Sequence, residues 1–242
     1  MTVKTKPILR WPGGKTQLLT EIQSRMPKDF RIFHEPFAGG GALTFAIQPQ
    51  GGFLSDINPE LVNFYRVLKQ RPHDLVKRLL TFRTGSKHFY DLRTKDRHHA
   101  YSALCPVWKA ARFLFINRSC FNGLMRVNRS GQLNCSYGSP ITPERLFDSN
   151  TIYAASAALR TTRIYHGPYE SVETQAVTGD FVYFDPPYVP VKPAGMIGYT
   201  DAGFSLNDQG QLARLCGKLT RKCSGPTTRK VRPTNRHNLR PH

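Results

Sequence analysis

The sequence predicts an α/β protein, a single sheet interrupted by a mostly helical, basic block. Three observations carry this. Residues 32–56 run as an apolar stretch, a glycine turn, a helical stretch and a second apolar stretch ending on Asp56. Residues 59–109 keep helical spacing without a strand signal. Strand signals return only at 162–165 and 181–184. Short strands separated by helical crossovers make a parallel sheet.

Ile32–Phe37 reads as a buried strand entering Ala38-Gly39-Gly40-Gly41, and Ala42–Gln48 then has helical composition. Gly52–Asp56 reads as a second strand. From Pro59 the apolar residues recur three and four apart, as in Leu61, Phe64, Tyr65, Leu68 and again Leu75, Leu79, Leu80. This is the stripe of a buried helix face. Val107–Ile116 reads as a further amphipathic helix. Asn117–Pro140 is polar, rich in Gly, Asn and Arg, and aperiodic, the form of an ordered functional loop. Thr162–Tyr165 and Phe181–Phe184 read as strands, the latter ending in Asp185-Pro186-Pro187-Tyr188, and Leu206–Leu219 as a helix. No internal repeat is visible.

A chain of 242 residues, 39% hydrophobic, can bury one substantial core. No apolar run approaches the ~20 residues that cross a bilayer, and Met1-Thr2-Val3-Lys4 has no apolar signal core. A soluble, cytoplasmic protein is expected. The five cysteines form no CxxC pair, so reduced thiols are expected, with neither a metal site nor a disulfide framework.

The net charge is +19, and its placement is uneven. Residues 59–146 carry sixteen Lys/Arg against five Asp/Glu, and 209–242 carry nine against none, whereas 147–208 are net acidic. A basic block of this size suits a phosphate-tracking surface, because neutralising phosphates releases condensed counterions. A merely solvated basic face has the same composition.

The sharpest chemical signal is Asp185-Pro186-Pro187-Tyr188 at the end of a strand, where α/β proteins bind ligands. Two prolines keep the turn extended. A carboxylate, the Pro186 carbonyl and the Tyr188 ring then lie close together. This trio matches a planar base bearing an amino group: Asp185 and Pro186 accept its two N–H bonds and Tyr188 stacks on the ring. A proline-rich turn capped by an aspartate has the same residues. The turn Pro36-Phe37-Ala38-Gly39-Gly40-Gly41 lets backbone approach a ligand, with Asp56 spaced to bond ribose hydroxyls. By itself this does not separate a methyl donor from a dinucleotide. Trp11-Pro12-Gly13-Gly14-Lys15-Thr16 imitates a phosphate-binding loop, but that motif needs a glycine where Leu9 stands, and no strand precedes it. An ATPase is excluded.

Three separated motifs occur in one order: Trp11-x-Gly13-Gly14-Lys15, Glu35-Pro36-Phe37-x-Gly39-x-Gly41 and Asp185-Pro186-Pro187-Tyr188. With Asn117-Arg118-x-x-Phe121-Asn122-Gly123-Leu124-x-Arg126-x-Asn128 between the last two, the chain resembles the Dam family of adenine-N6 DNA methyltransferases across about residues 6–220. The resemblance implies a Rossmann-like class I methyltransferase sheet with an inserted helical DNA-recognition domain. Residues 1–58 and 147–220 would be catalytic and 59–146 would read DNA. It implies S-adenosylmethionine as methyl donor, double-stranded DNA as partner, GATC as target, a monomer and no metal. Trp11, Lys15, Phe37, Gly39, Gly41, Asp56 and Asp185 would surround the donor. Asp185, Pro186 and Tyr188 would hold the flipped adenine during a direct in-line displacement. Phe121, Asn122, Leu124 and Arg126 would face the DNA, with Phe121 wedging into the stack, Leu124 touching a thymine methyl and Arg126 reading guanine through O6 and N7.

Ser136 and Ser139 stand where family members have a proline and an arginine. Beyond about Lys222 the resemblance is expected to stop, and 221–242, with seven Arg/Lys, no acid and three prolines, reads as a disordered basic tail. A shifted or truncated reading frame near Lys222 would explain it. Two rivals remain: methylation of another planar amine, such as cytosine N4 or a glutamine amide, and a DNA-binding remnant without catalysis. Asp185 and the Arg126 loop argue against the first.

Overall fold

The computed structural model describes residues 5–128, 130–138, 146–187 and 204–223. Among these, four parallel strands form one sheet in the order β3-β2-β1-β4: β1 (Phe33–Glu35), β2 (Gly52–Asp56), β3 (Thr162–His166) and β4 (Phe181–Val182). In register, Phe33 lies between Gly52 and Phe181, and Gly52 lies beside Thr162. The helices are α1 (Leu19–Arg25), α2 (Ala42–Ile47), α3 (Pro59–Gln70), α4 (Pro72–Leu80), α5 (Ser86–Arg93), α6 (Pro106–Ser119), α7 (Ser149–Ala158), α8 (Val172–Gln175) and α9 (Leu206–Cys223). None among the described residues is long and apolar enough to cross a membrane.

The expected strands and their order along the chain are present, but β1 and β4 are shorter than their apolar runs. Pro36 has no N–H to continue a ladder. Tyr183 carries β4 one bond further by donating to the His34 carbonyl (2.9 Å). The helix expected over 206–219 continues through Cys223, so Arg221 and Lys222 belong to α9 instead of a disordered tail. The reason is tertiary: Gly179 N–H donates to the Cys223 carbonyl (3.2 Å) and the Thr178 hydroxyl to the Lys222 carbonyl (3.0 Å). The remainder of that expected tail lies outside the described residues.

Helix α3 starts on Asn58, whose side chain accepts from Glu60 N–H (3.0 Å) and Leu61 N–H (3.2 Å), with Pro59 in the first turn. It packs on β2 and β3 as well as on α6. Leu54 of the sheet therefore shares one continuous core with Leu61, Phe64 and Leu68 of α3 and Phe113 of α6. A smaller core of Val172, Ala176, Leu215 and Leu219 joins α9 to β4. The loop expected from Asn117 begins three residues later, since α6 runs to Ser119. It then doubles back as a hairpin bridged at Val127–Leu133 and Cys120–Tyr137.

Candidate active site and nucleic-acid interface

The chain moves outward from β1 to β2 to β3 and then returns to place β4 on the other side of β1. Such a reversal opens a crevice at the carboxyl ends of β1 and β4, between which it falls. Glu35, Asp56 and Asp185 stand at the carboxyl ends of β1, β2 and β4.

Gly39 (φ +45°) and Gly41 (φ +65°) occupy the left-handed region that favours glycine. A Cβ on Gly39 would lie 2.8 Å from Cδ1 of Trp11, so the indole rests on bare backbone. Gly39 N–H donates to Asp56 Oδ2 (3.1 Å), and its carbonyl accepts from the Tyr65 hydroxyl (2.7 Å). Asp56 Oδ1 accepts from Asn58 N–H (2.9 Å). Burial pushes the Asp56 carboxyl up, against these two N–H donors. The glycine turn is thus locked by Asp56 and Tyr65, with the Trp11 indole packed on Gly39 and the Phe45 and Tyr65 side chains close to Gly41.

Lys15 Nζ donates to the Gly13 carbonyl (2.9 Å) and to Asp185 Oδ1 (2.5 Å), across 170 residues of sequence. Burial raises the Asp185 carboxyl, and the Lys15 ammonium opposes it. A partly exposed ion pair at a sheet edge can exchange its partner for a ligand donor. Phe37 stacks on Tyr169 (5.0 Å between centroids) and meets Phe184 and Phe204 edge-on. Pro186 is half-buried and Pro187 exposed. Tyr188 and Ser139 lie outside the described residues.

Beneath the turn, buried Glu35 accepts from the backbone N–H and hydroxyl of Thr44 in α2. Burial lifts its pKa from 4.5 to about 7. A raised carboxyl pKa means the folded state prefers the proton. Its stabilising contribution is therefore complete below about pH 4.5 and is lost as pH rises to about 7. Glu35→Gln keeps an acceptor for Thr44 without a charge. Relative to wild type it is expected to gain at most about 3 kcal/mol between pH 4.5 and 8, read by urea unfolding at both pH values. Parallel curves for the two chains would refute this.

The turn after α6 is fixed against the amino-terminal motif. Asn117, fully buried in α6, accepts from Arg10 N–H and donates to the Arg10 carbonyl, both at 2.8 Å. A Cβ on Gly123 would lie 2.6 Å from Cβ of Arg10. The amino-terminal motif and the turn are consequently clipped together, and a cleft of about 350 Å³ between them is lined by Trp11, Gly14, Gly40 and Ala42 on one side and Asn122 and Leu124 on the other. Asp56 and Asp185 are not among its walls. Phe121, Asn122 and Arg126 are exposed and Leu124 half-buried. Asn122 has φ +53°, a conformation asparagine tolerates in tight turns.

In the sequence Tyr65 and Asn117 stand out only as helix or motif residues, and Phe113, Tyr169, Thr44, Asp96 and Arg112 belong to no motif. Arg112 had a signal: a lone charge between Ala110-Ala111 and the apolar run Phe113-Leu114-Phe115-Ile116.

A parallel sheet with this crevice, a left-handed glycine turn and acids at its carboxyl ends has the architecture of an α/β class I methyltransferase. The description D12 class N6 adenine-specific DNA methyltransferase matches residues 11–231, and the chain belongs to that family. The match runs past Lys222, so the resemblance does not stop there as expected from the sequence. The chain is 41% identical over 221 residues to the type II methyltransferase M1.LlaDCHI of Lactococcus lactis subsp. cremoris, covering 89% of this chain and 77% of that one. It is 34% identical to the type II methyltransferase M.MjaIII of Methanocaldococcus jannaschii, covering 91% and 82%. It is also 34% identical to the DNA adenine methylase of Vibrio cholerae, covering 90% and 78%. It is an adenine-specific DNA methyltransferase.

Proposed function

We propose that this chain transfers a methyl group from S-adenosylmethionine to N6 of an adenine flipped out of duplex DNA at GATC. The observation that carries this is the Lys15–Asp185 pair at the carboxyl edge of β4, beside the glycine turn of β1. The residues present fit the donor: the left-handed Gly39–Gly41 backbone, the Trp11 indole on Gly39, the Phe37 ring and the acids Asp56 and Asp185. With Lys15 these residues would hold it. The donor supplies a methyl carried on a sulfonium.

The chain's own part is to make a poor nucleophile attack. The exocyclic amine shares its lone pair with the ring. An Asp185 oxygen and the Pro186 carbonyl accept its two N–H bonds, favour pyramidal nitrogen and aim the lone pair. Tyr188 stacks on the base, whose extraction costs a few kcal/mol. Phe121, Asn122, Leu124 and Arg126 face the duplex, with 59–146 as the reading unit and 1–58 with 147–220 as the catalytic unit of a monomer.

Random duplex incubated with the purified chain and S-adenosylmethionine, then mapped for modified bases, is expected to show N6-methyladenine in GATC. Modified cytosine, or no base modified, would overturn the reading. Arg126→Ala should relax discrimination at one guanine by ~1–3 kcal/mol, because a bidentate base contact is lost while phosphate contacts remain. Equal weakening on every sequence would make Arg126 a phosphate contact.

A further inference from the structure

The hairpin that carries Arg126 has a thin ladder of its own. Among the described residues between 126 and 134 its cross-strand support is the Val127–Leu133 bridge, the Asn134 N–H bond to the Arg126 carbonyl (2.7 Å) and, at the turn end, the Asn128–Gln132 pair, joined by the Asn128 N–H bond to the Gln132 carbonyl (2.8 Å), the Gln132 N–H bond to Asn128 Oδ1 (3.0 Å) and the Asn128 amide bond to Gln132 Oε1 (3.0 Å). A lone two-stranded hairpin is marginal in water. Support comes from outside. Asp96, in the 3-10 turn Thr94–Arg97, accepts Leu133 N–H at 2.8 Å through Oδ2. The same oxygen accepts from Arg112 Nη2 at 3.0 Å. Arg112 is itself immobilised: Nε donates to the Leu92 carbonyl (2.7 Å), Nη2 to the Arg93 carbonyl (2.8 Å) and Nη1 to the Tyr101 hydroxyl (2.9 Å).

We propose that Asp96 is a positioning residue for sequence discrimination: its carboxylate, fixed by buried Arg112, holds Leu133 and thereby aims Arg126 across the hairpin. This rests on Arg126 reading a base. A charged acceptor on a backbone N–H is stronger than a neutral one, and it fixes the strand opposite Arg126. A bidentate fork on guanine tolerates little displacement, so a shift of the hairpin costs discrimination before it costs phosphate contacts. Were Asp96 only the counter-charge of Arg112, its loss would lower the melting temperature and leave discrimination intact.

The test measures kcat/KM on a preferred duplex and on one with a single guanine replaced, together with donor affinity. Asp96→Ala is expected to lower the ratio at least about tenfold, with donor affinity within twofold and no further loss when combined with Arg126→Ala. Asp96→Asn, which keeps an acceptor for Leu133, should hold the ratio within threefold while melting earlier. If Asp96→Ala does not fold, Asp96→Asn decides: a folded Asn variant with collapsed discrimination overturns the proposal. A folded Asp96→Ala that discriminates like wild type, while Arg126→Ala does not, overturns the proposal and leaves Arg126 as the reader. If Arg126→Ala itself discriminates normally, the base-reading assignment fails and the proposal falls with it.

Discussion

Asp185→Ala is expected to cut methyl transfer at least about 10³-fold while leaving duplex affinity within a few-fold. The two effects separate because they arise in different places. Asp185 follows β4, paired with Lys15, and on the proposed function it would act on the amine only once the base is out of the stack. On the proposed function most duplex affinity would come from phosphates met by the basic block of residues 59–146, sixteen Lys/Arg against five Asp/Glu. Loss of the carboxylate leaves the Lys15 ammonium its bond to the Gly13 carbonyl. The measurement is single-turnover methylation with saturating duplex, alongside a binding titration at fixed salt. Turnover within tenfold of wild type would remove Asp185 from the chemistry. A parallel collapse of binding would make it structural.

Arg112→Met is expected to be the most destabilising of the substitutions considered, by about 3–5 kcal/mol. For a chain of this size that lowers the melting temperature by roughly 6–20 °C. Arg112 is 1% exposed and satisfies the carbonyls of Leu92 and Arg93, the Tyr101 hydroxyl and the Asp96 carboxylate at once. Tyr101 passes the network on to Glu60 (2.6 Å), which burial pushes above the usual carboxylate range. Methionine fills much of the volume but leaves an uncompensated carboxylate and several carbonyls without donors, and that desolvation dominates. Adding Asp96→Asn should recover part of the loss. A single variant that melts within 2 °C of wild type would show that water replaces the guanidinium.

Much of the architecture was legible because it depends on local pattern. The strand Gly52–Asp56 has the same limits in sequence and structure, and the helices after Pro59 follow their three- and four-residue apolar spacing. Boundaries were less legible where tertiary bonds set them. Helix α9 outruns its apolar stripe because Gly179 and Thr178 cap its last carbonyls. Helix α7 went unnoticed because alanine-rich Ser149–Ala158 has little amphipathic contrast, and its start depends on the Asp148 side chain capping Asn150 and Thr151.

What the sequence determined by itself is what neighbouring residues determine: the strand and helix periods, the left-handed glycine turn, the extended Asp-Pro-Pro turn and the lopsided charge. Each is a local consequence of side-chain sterics, backbone freedom or charge count. The tertiary structure alone decided which of those pieces meet. Lys15 reaches Asp185 over 170 residues, Asn117 grips Arg10 over 107, and Asp96 takes Leu133 over 37. No periodicity encodes such partners, because a hydrogen bond between distant segments depends on where the sheet order and the shared core place their backbones. The reversal that puts β4 beside β1, and the packing of α6 on α3, are what bring the amino-terminal motif to Asp185 on one side and to the hairpin after α6 on the other.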